Sequence, residues 1–150
     1  MRIAGVIPYS VVNGEGVRFV VFVQGCAHRC HGCHNPGTWD FDGGEEIAPE
    51  ELAELIKSKR HADGVTLSGG DPFYQQEECL ELLSLLPPET DLWIYTGFEY
   101  DEIKDTPLAK RANVLVTGPY IEELRCVGQM YGSANQEIHR KEEEHENDRE

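Results

Sequence analysis

The feature that most constrains this chain is a run of three cysteines with the spacing Cys-x3-Cys-x2-Cys. Cys26, Cys30 and Cys33 lie between Gly25 and Pro36, and glycine and proline suit a tight loop. This spacing brings three thiolates to one side of the loop, where they can hold a soft metal centre. Closed zinc sites and fully protein-ligated iron–sulfur clusters use four ligands. Three cysteines therefore predict a centre with one open coordination position.

The composition limits what can be built around this loop. The chain has 150 residues, enough for one domain with a core, and a formal net charge of −15 that argues against binding to nucleic acid phosphates. No apolar run approaches the roughly 18 to 20 residues that span a bilayer, and the N-terminus lacks an export signal. Three of the five cysteines share one loop, which suits a reducing compartment better than a disulfide framework. We expect a cytoplasmic protein that binds neither nucleic acid nor membrane.

Strand and helix patterns alternate along the chain, which predicts an α/β fold with a mostly parallel sheet of about five to six strands. A complete eight-stranded barrel needs roughly 250 residues. We therefore expect an incomplete (partial) βα barrel or an open sheet. The predicted strands are 2–7, 17–23, 64–67, 91–95 and 113–116, and the predicted helices are 49–57, 75–86 and, more weakly, 98–111.

The last twelve residues differ in composition from the rest of the chain. Residues 139–150 contain no apolar side chain and are mostly charged, so they offer nothing to bury. The sequence predicts a domain over 1–138 and an acidic tail over 139–150, either a frayed helix end or disordered. His139 and His145 are expected to be solvated.

Four loops follow predicted strands directly. They are the cysteine loop, Ser68–Pro72, the turn at Thr96–Gly97 and the turn at Thr117–Pro119. Because the carboxyl ends of parallel strands meet at one edge of a sheet, these loops should form a single site.

Taken together, the motifs resemble the radical S-adenosylmethionine superfamily. Within it, the likeness is to the activating proteins of anaerobic (class III) ribonucleotide reductase. It is carried by residues 25–35, Ser68–Pro72, Tyr95–Gly97 and Gly132–Gln136, with Asn13–Arg18 preceding the cysteines. A set of spaced motifs over residues 10–138 is far more specific than any one of them.

The resemblance implies two cofactors. Cys26, Cys30 and Cys33 would bind a [4Fe–4S] cluster, whose remaining iron takes the amino nitrogen and carboxylate of S-adenosylmethionine. Gly69 and Gly70 would bring backbone groups beside the methionyl amine, where a side chain would obstruct the approach. The carboxylate of Asp71 could contribute, or could serve only to shape its loop. The further implied cofactor contacts are Gly32, Cys33, His34, Ser68 and Thr96.

The resemblance also implies an activity. The reduced cluster would cleave S-adenosylmethionine to a 5′-deoxyadenosyl radical, which removes a hydrogen atom from a glycine Cα of the anaerobic ribonucleotide reductase large subunit. A low-potential donor such as flavodoxin or ferredoxin would supply the electron. Because the cofactors carry the chemistry, no acid–base side chain is expected.

Two positions depart from the pattern of the superfamily. Many members have an aromatic residue before the third cysteine, where this chain has Gly32, so adenine would meet backbone between Gly32 and His34. An arginine is expected before the Gly-Ser-x-Asn-Gln segment, where this chain has Tyr131. The detail of partner contact is therefore open.

Other interpretations remain at this point. The same radical chemistry could act on another glycyl-radical enzyme of the pyruvate formate-lyase type, or on a small deazapurine precursor. A zinc-binding interaction module could combine the cysteines with His28, His31 or His34. Cys79 lies on the apolar face of a predicted helix and is expected in the core, whereas Cys126 is either a fourth ligand or a bystander.

Overall fold

The computed structural model describes residues 1–25, 43–59, 61–118 and 136–141, and within them seven strands form one sheet. The strand order is β3-β1-β2-β4-β5-β6-β7. The strands are β1 (Arg2–Ser10), β2 (Arg18–Val23), β3 (Glu45–Glu46), β4 (Gly64–Gly69), β5 (Leu92–Tyr95), β6 (Val114–Thr117) and β7 (Glu137–Arg140). The helices are α1 (Pro49–Lys57), α2 (Gln76–Ser84), α3 (Tyr100–Ile103) and α4 (Pro107–Arg111), and a 3-10 turn covers Pro72–Gln75.

The centre of the sheet is parallel and its flanks are antiparallel. β2, β4, β5 and β6 run in the same direction, while β1 and β7 run against their neighbours. This confirms the predicted α/β class with a mostly parallel central sheet. The predicted five to six strands were too few, because β3 and β7 escaped detection. β3 has only two residues, both exposed glutamates, and β7 is largely polar, so neither carries the apolar signal of a strand.

The four helices pack on one face of the sheet. α1 begins with Pro49 and has Glu50 and Glu51 in its first turn, which suits the positive end of a helix. The helices and the strand residues facing them form one core. Its members include Phe19, Val21, Val65, Leu67, Ile94 and Leu115 from the strands and Leu52, Ile56, Leu82, Ile103 and Leu108 from the helices. In the part of the chain that the structure describes, no helix is long and apolar enough to cross a membrane.

The opposite face of the sheet carries the alternate residues of each strand, arranged in rows by the strand register. One row is Val20, Thr66, Trp93 and Val114, and all four are buried. Because β2 is covered on both faces, nearly all of its residues are buried, which confirms the interpretation of its continuous apolar run.

Arg18 lies at the amino end of the parallel strands, on the face without helices, and is only 1% exposed. Its Nε donates to Thr66 Oγ1 at 2.7 Å. One terminal nitrogen donates to Glu15 O at 3.0 Å and Asp91 Oδ2 at 2.8 Å. The other donates to Val65 O at 2.8 Å and Asp91 O at 2.9 Å. All five guanidinium N–H groups are therefore satisfied, as burial of this side chain requires.

The loop before β2 is shaped around this guanidinium. Gly14 has a φ of 115°, and a Cβ there would lie 2.7 Å from Arg18 Cδ. Thr66 Oγ1 donates to Asn13 O at 2.7 Å, and this hydrogen bond holds the loop against β4. The Asn13–Gly16 segment therefore packs over the Arg18 side chain. Its glycines alone would suggest only a hairpin turn.

The predicted tail begins too early at residue 139, because β7 continues to Arg140. His139 pairs with Leu115 in the β6–β7 ladder, and its ring stacks on Tyr100 with centroids 3.8 Å apart. The prediction of a solvated His139 was therefore wrong, since strand pairing places the imidazole against α3. His145 and the rest of the tail lie outside the described residues, so that part stays a prediction.

We predict that Arg18→Met lowers the free energy of unfolding by about 2 kcal/mol or more, because the two buried acceptors Thr66 Oγ1 and Val65 O lose their donors at about 1 kcal/mol each. Arg18→Lys should also destabilise, since one ammonium cannot reproduce the five-donor fork. Urea denaturation of the apoprotein measures both. Lys57→Met is the control: its ammonium lies 3.6 Å from Glu54 in an exposed pair, and its loss should cost under about 0.5 kcal/mol. Equal stability of the Arg18 and Lys57 variants would contradict this role.

Candidate cofactor site

The loops after the parallel strands are joined to one another at the carboxyl edge of the sheet. Gly70 N donates to Val23 O at 2.8 Å, and Asp71 N donates to Gly25 O at 2.8 Å. The residue directly before Cys26 is thus bonded to the Gly-Gly-Asp-Pro loop. This confirms that the chain leaves β2 toward the loop that follows β4.

The hydrogen-bonded series continues across the sheet to β7. Thr96 N donates to Val116 O at 2.9 Å, and Gly118 N donates to Phe98 O at 2.8 Å. Gln136 Nε2 then donates to Gly118 O at 2.9 Å. One edge therefore carries Gly25, Asp71, Thr96, Gly118 and Gln136, as the alternating pattern predicted. Gly25 precedes the cysteine loop, and that loop itself lies outside the described residues.

Asp71 is the centre of this series and is fully buried. Its Oδ1 accepts from Phe73 N at 3.1 Å, and its Oδ2 accepts from Gly97 N at 2.9 Å. Thr96 Oγ1 lies 2.9 and 2.8 Å from the two carboxylate oxygens. Asp71 and Thr96, both predicted cofactor contacts, are thus brought together and bonded to each other. In the described residues, these hydrogen bonds join the loop after β4 to the loop after β5.

Gly69 ends β4 in a conformation that favours glycine. Its φ is 109°, and a Cβ would lie 2.7 Å from the carbonyl carbon of Phe22 and closer still to the backbone of Val23. This glycine therefore lets the end of β4 approach β2. This packing does not test the predicted contact of Gly69 with a cofactor, which stays a prediction.

Gln75 also holds the carboxyl edge of the sheet, through hydrogen bonds to Arg2 and Gln24. The sequence analysis did not identify this role. Its Oε1 accepts from Arg2 N at 2.9 Å. Its Nε2 donates to Arg2 O at 2.9 Å and to Gln24 O at 2.8 Å. Nothing in the sequence indicates that the glutamine at the end of the 3-10 turn contacts a residue 73 positions earlier in the chain.

Several predicted site residues lie outside the described residues. These are Cys26, Cys30, Cys33, Gly32 and His34, together with Cys126, Tyr131 and most of the Gly132–Gln136 motif. The assignments made to them stay predictions. Within residues 1–25, 43–59, 61–118 and 136–141 there is no group of three or more His, Cys, Asp or Glu side chains arranged to hold a metal.

Cys79 is a core residue, as predicted. It is fully buried in α2, and its Sγ lies 3.8 Å from Pro72 O. Burial, with smaller contributions from Glu78 and Asp71, raises the pKa of the Cys79 thiol to about 12. The thiol stays protonated at neutral pH, whereas a metal ligand must be a thiolate.

Ser68 and Tyr95 lie on the face without helices, next to each other in the register that pairs Leu67 with Ile94. Both are partly exposed. Burial raises the pKa of Tyr95 well above its usual range, despite an opposing effect of Arg18. The phenol therefore stays protonated. Sequence analysis had assigned Ser68 to the site and had not assigned Tyr95.

A cavity of about 400 Å³ lies at the opposite, amino end of the parallel strands. Arg140 forms an ion pair with Glu15 there. Among the described residues, those of the loops after the parallel strands do not line it. Its lining residues are Glu15, Asp91, Trp93, Asn113, Val114, Arg140 and Lys141.

The sequence matches one family model and is similar to several proteins of known name. Residues 12–139 match the family model of a 4Fe-4S single cluster domain. Three similar proteins are each named anaerobic ribonucleoside-triphosphate reductase-activating protein. The protein of Enterobacteria phage T4 is 38% identical over 89% of this chain and 90% of its own length. That of Salmonella typhi is 34% identical over 93% and 98%, and that of Haemophilus influenzae is 36% identical over 89% and 94%.

We predict that Asp71→Asn lowers the free energy of unfolding of the apoprotein by about 1 to 3 kcal/mol. The new amide replaces an accepting oxygen with a donor, so a buried N–H or hydroxyl loses its partner. Chemical denaturation without any cofactor measures the loss. Asp101→Asn is the control, because the Asp101 side chain is 88% exposed and its replacement should change little. An apoprotein of unchanged stability would mean that Asp71 does not hold the loops together.

Proposed function

Because the chain belongs to the family of anaerobic ribonucleoside-triphosphate reductase-activating proteins and matches a 4Fe-4S single cluster domain over most of its length, we propose that it generates the glycyl radical of an anaerobic ribonucleotide reductase. The observation that carries this proposal is the bond between Asp71 N and Gly25 O. It ties the residue before the first cysteine to the loop proposed to receive S-adenosylmethionine.

The donor set of the chain fits a [4Fe–4S] cluster with one open iron. Cys26 follows Gly25 directly in sequence, and Cys30 and Cys33 come shortly after it. The three thiolates are the proposed ligands. Cys79 is unsuited to this role because its thiol is buried and protonated. The match to a 4Fe-4S family, rather than to a zinc family, favours the cluster over a zinc module. With S-adenosylmethionine bound, the cluster supplies the reductive cleavage that yields a 5′-deoxyadenosyl radical and methionine.

The residues of the chain act by binding and positioning. Gly70 lies beside Val23, held by its amide hydrogen bond, and offers a backbone surface without a side chain to the methionyl end. Asp71 and Thr96 hold the loops that carry this surface. Gly32, Cys33, His34 and Ser68 are proposed to complete the contacts with the cofactors. We assign no proton transfer to any side chain, since none is required.

The fold proposed for this function is a partial βα barrel. In a flat sheet β2 and β7 would be four strand spacings, about 19 Å, apart. Glu15, just before β2, nevertheless pairs with Arg140 of β7. Arg18 and Arg140 also both lie over the Trp93 ring, at 5.7 and 5.5 Å from its centroid. These contacts support a sheet curved away from the helices.

An open barrel edge suits a protein substrate. A glycine Cα within a large reductase subunit can reach a radical only if the small enzyme presents its site at an accessible edge. Gln136 lies at the carboxyl edge through its bond to Gly118, which supports a partner contact by the Gly132–Gln136 segment. The electron is proposed to come from a low-potential protein such as flavodoxin or ferredoxin, with the reaction taking place in the cytoplasm.

We predict about four irons per chain after anaerobic reconstitution with iron and sulfide. Cys26→Ala, Cys30→Ala and Cys33→Ala should each lose most of this iron and the associated visible absorption. Cys79→Ala and Cys126→Ala should retain both. Iron analysis and absorption spectra decide the matter. Loss of the cluster only in Cys126→Ala would overturn the ligand assignment, and bound zinc without a charge-transfer band would favour the interaction module.

We also predict that the reduced, reconstituted protein with S-adenosylmethionine produces a glycyl-radical doublet on an anaerobic ribonucleotide reductase. Deletion of residues 142–150 should leave the doublet intact, whereas Cys30→Ala should abolish it. The deletion starts after Lys141 because its amide donates to Asn113 O at 2.9 Å. Electron paramagnetic resonance under strict anaerobiosis detects the signal.

One result would redirect the assignment. If 5′-deoxyadenosine forms without a doublet on the reductase, and a pyruvate formate-lyase type enzyme or a small deazapurine precursor is modified instead, the substrate proposed here is wrong. The protein would then still cleave S-adenosylmethionine, but it would act on a different substrate.

A further inference from the structure

The helix side of the carboxyl edge is closed. Asp71 is fully buried there, and Phe73 is 7% exposed. The Phe73 ring packs edge-on against Phe98 with centroids 6.3 Å apart. Tyr74 lies over the same Phe98 ring at 5.4 Å. A ligand of nucleoside size that reaches the loops after β2 and β4 must therefore lie on the other face of the sheet.

The other face has a solid floor and a more open upper row. The floor is the buried row of Val20, Thr66, Trp93 and Val114. The next row lies one step nearer the carboxyl edge, where Phe22 pairs with Ser68 and Val116 pairs with both Tyr95 and Ile138. Continuing the Leu67–Ile94 pairing by one residue places Ser68 beside Tyr95. Of its five members only Val116 is fully buried. The upper row consists of Phe22, Ser68, Tyr95, Val116 and Ile138.

Ser68 and Tyr95 supply the two hydroxyl groups of this otherwise apolar row. Each directly follows a member of the Leu67–Ile94 pair on the adjacent strands β4 and β5. The Tyr95 ring lies against Trp93 with centroids 6.5 Å apart, which supports it from the floor. A protonated phenol donates a hydrogen bond and attracts anionic or neutral acceptors rather than cations. Ser68 also precedes Gly69 and Gly70, the proposed neighbours of the methionyl end.

We propose that Tyr95 is a positioning residue for S-adenosylmethionine, its hydroxyl donating a hydrogen bond to the methionyl carboxylate beside Ser68. This assignment rests on the proposed function and adds to it a side chain that recognises the amino acid end of the cofactor. The methionyl ammonium is proposed to lie against the backbone of Gly69 and Gly70. The carboxylate is therefore the group of the methionyl end that is left for a hydroxyl donor.

The test is a binding measurement on the reconstituted, oxidised protein, in which no turnover occurs. Tyr95→Phe should raise the Kd for S-adenosylmethionine about tenfold to a hundredfold, as expected for one lost hydrogen bond to a charged group. Tyr74→Phe is the matched control at the same edge, on the closed side, and should bind like the wild type. The affinity for 5′-methylthioadenosine, which lacks the amino acid end, should be equal in the wild type and Tyr95→Phe.

The outcomes separate this assignment from the proposed function. If wild-type protein with a full cluster does not bind S-adenosylmethionine, the proposed function itself fails. If the wild type binds and Tyr95→Phe binds equally well, only the role of Tyr95 is overturned. An equal loss with 5′-methylthioadenosine, or in Tyr74→Phe, would also overturn it. Should Tyr95→Phe lose iron, Tyr95→Leu carries the test, because it also removes the hydroxyl and keeps an apolar side chain in the row. Unchanged affinity in that variant overturns the role of Tyr95.

Discussion

The structure depends on a buried guanidinium. A guanidinium carries five N–H donors, so the burial of Arg18 requires that all five find acceptors. The acceptors come from β4, from the residue before β5 and from the loop before β2. The strands at the amino end of the sheet must therefore stay in one register relative to each other. A single polar side chain aligns the sheet at one end where apolar packing alone would tolerate small shifts.

The other end of the sheet is held by a carboxylate. Asp71 accepts hydrogen bonds from the loops after β4 and β5, and Gln75 links the same region to β1 and to Gln24. Arg18 and Asp71 therefore act at opposite ends of the parallel strands. Arg18 organises the end without the proposed chemistry, and Asp71 supports the end at which the cysteine loop begins. An acidic residue in a Gly-Gly-Asp-Pro motif can thus matter to a cofactor site through the loops that it holds.

The sequence predicted the class of fold and the common edge well, because both depend on patterns within short stretches. The apolar run of β2 and the loops after each parallel strand are such patterns. It did not predict β7, whose residues Glu137–Arg140 become a strand only through pairing with β6. It also could not indicate what Arg18 and Gln75 do, because their partners lie far away in the chain. Tyr95 required the strand register, which decides which residues share a face and which of them are neighbours.

The contact between Glu15 and Arg140 has a consequence for the order in which the fold is assembled. The strand pairs β4–β5 and β5–β6 are consecutive both in the chain and in the parallel part of the sheet, so they close comparatively short loops. The arginine pair around Trp93 joins the beginning of the described chain to its last strand, and closing so long a loop costs more entropy. Contacts of this kind form slowly. We infer that the parallel strands pair first and that the contacts of Glu15 and Arg140, on the face without helices, form last.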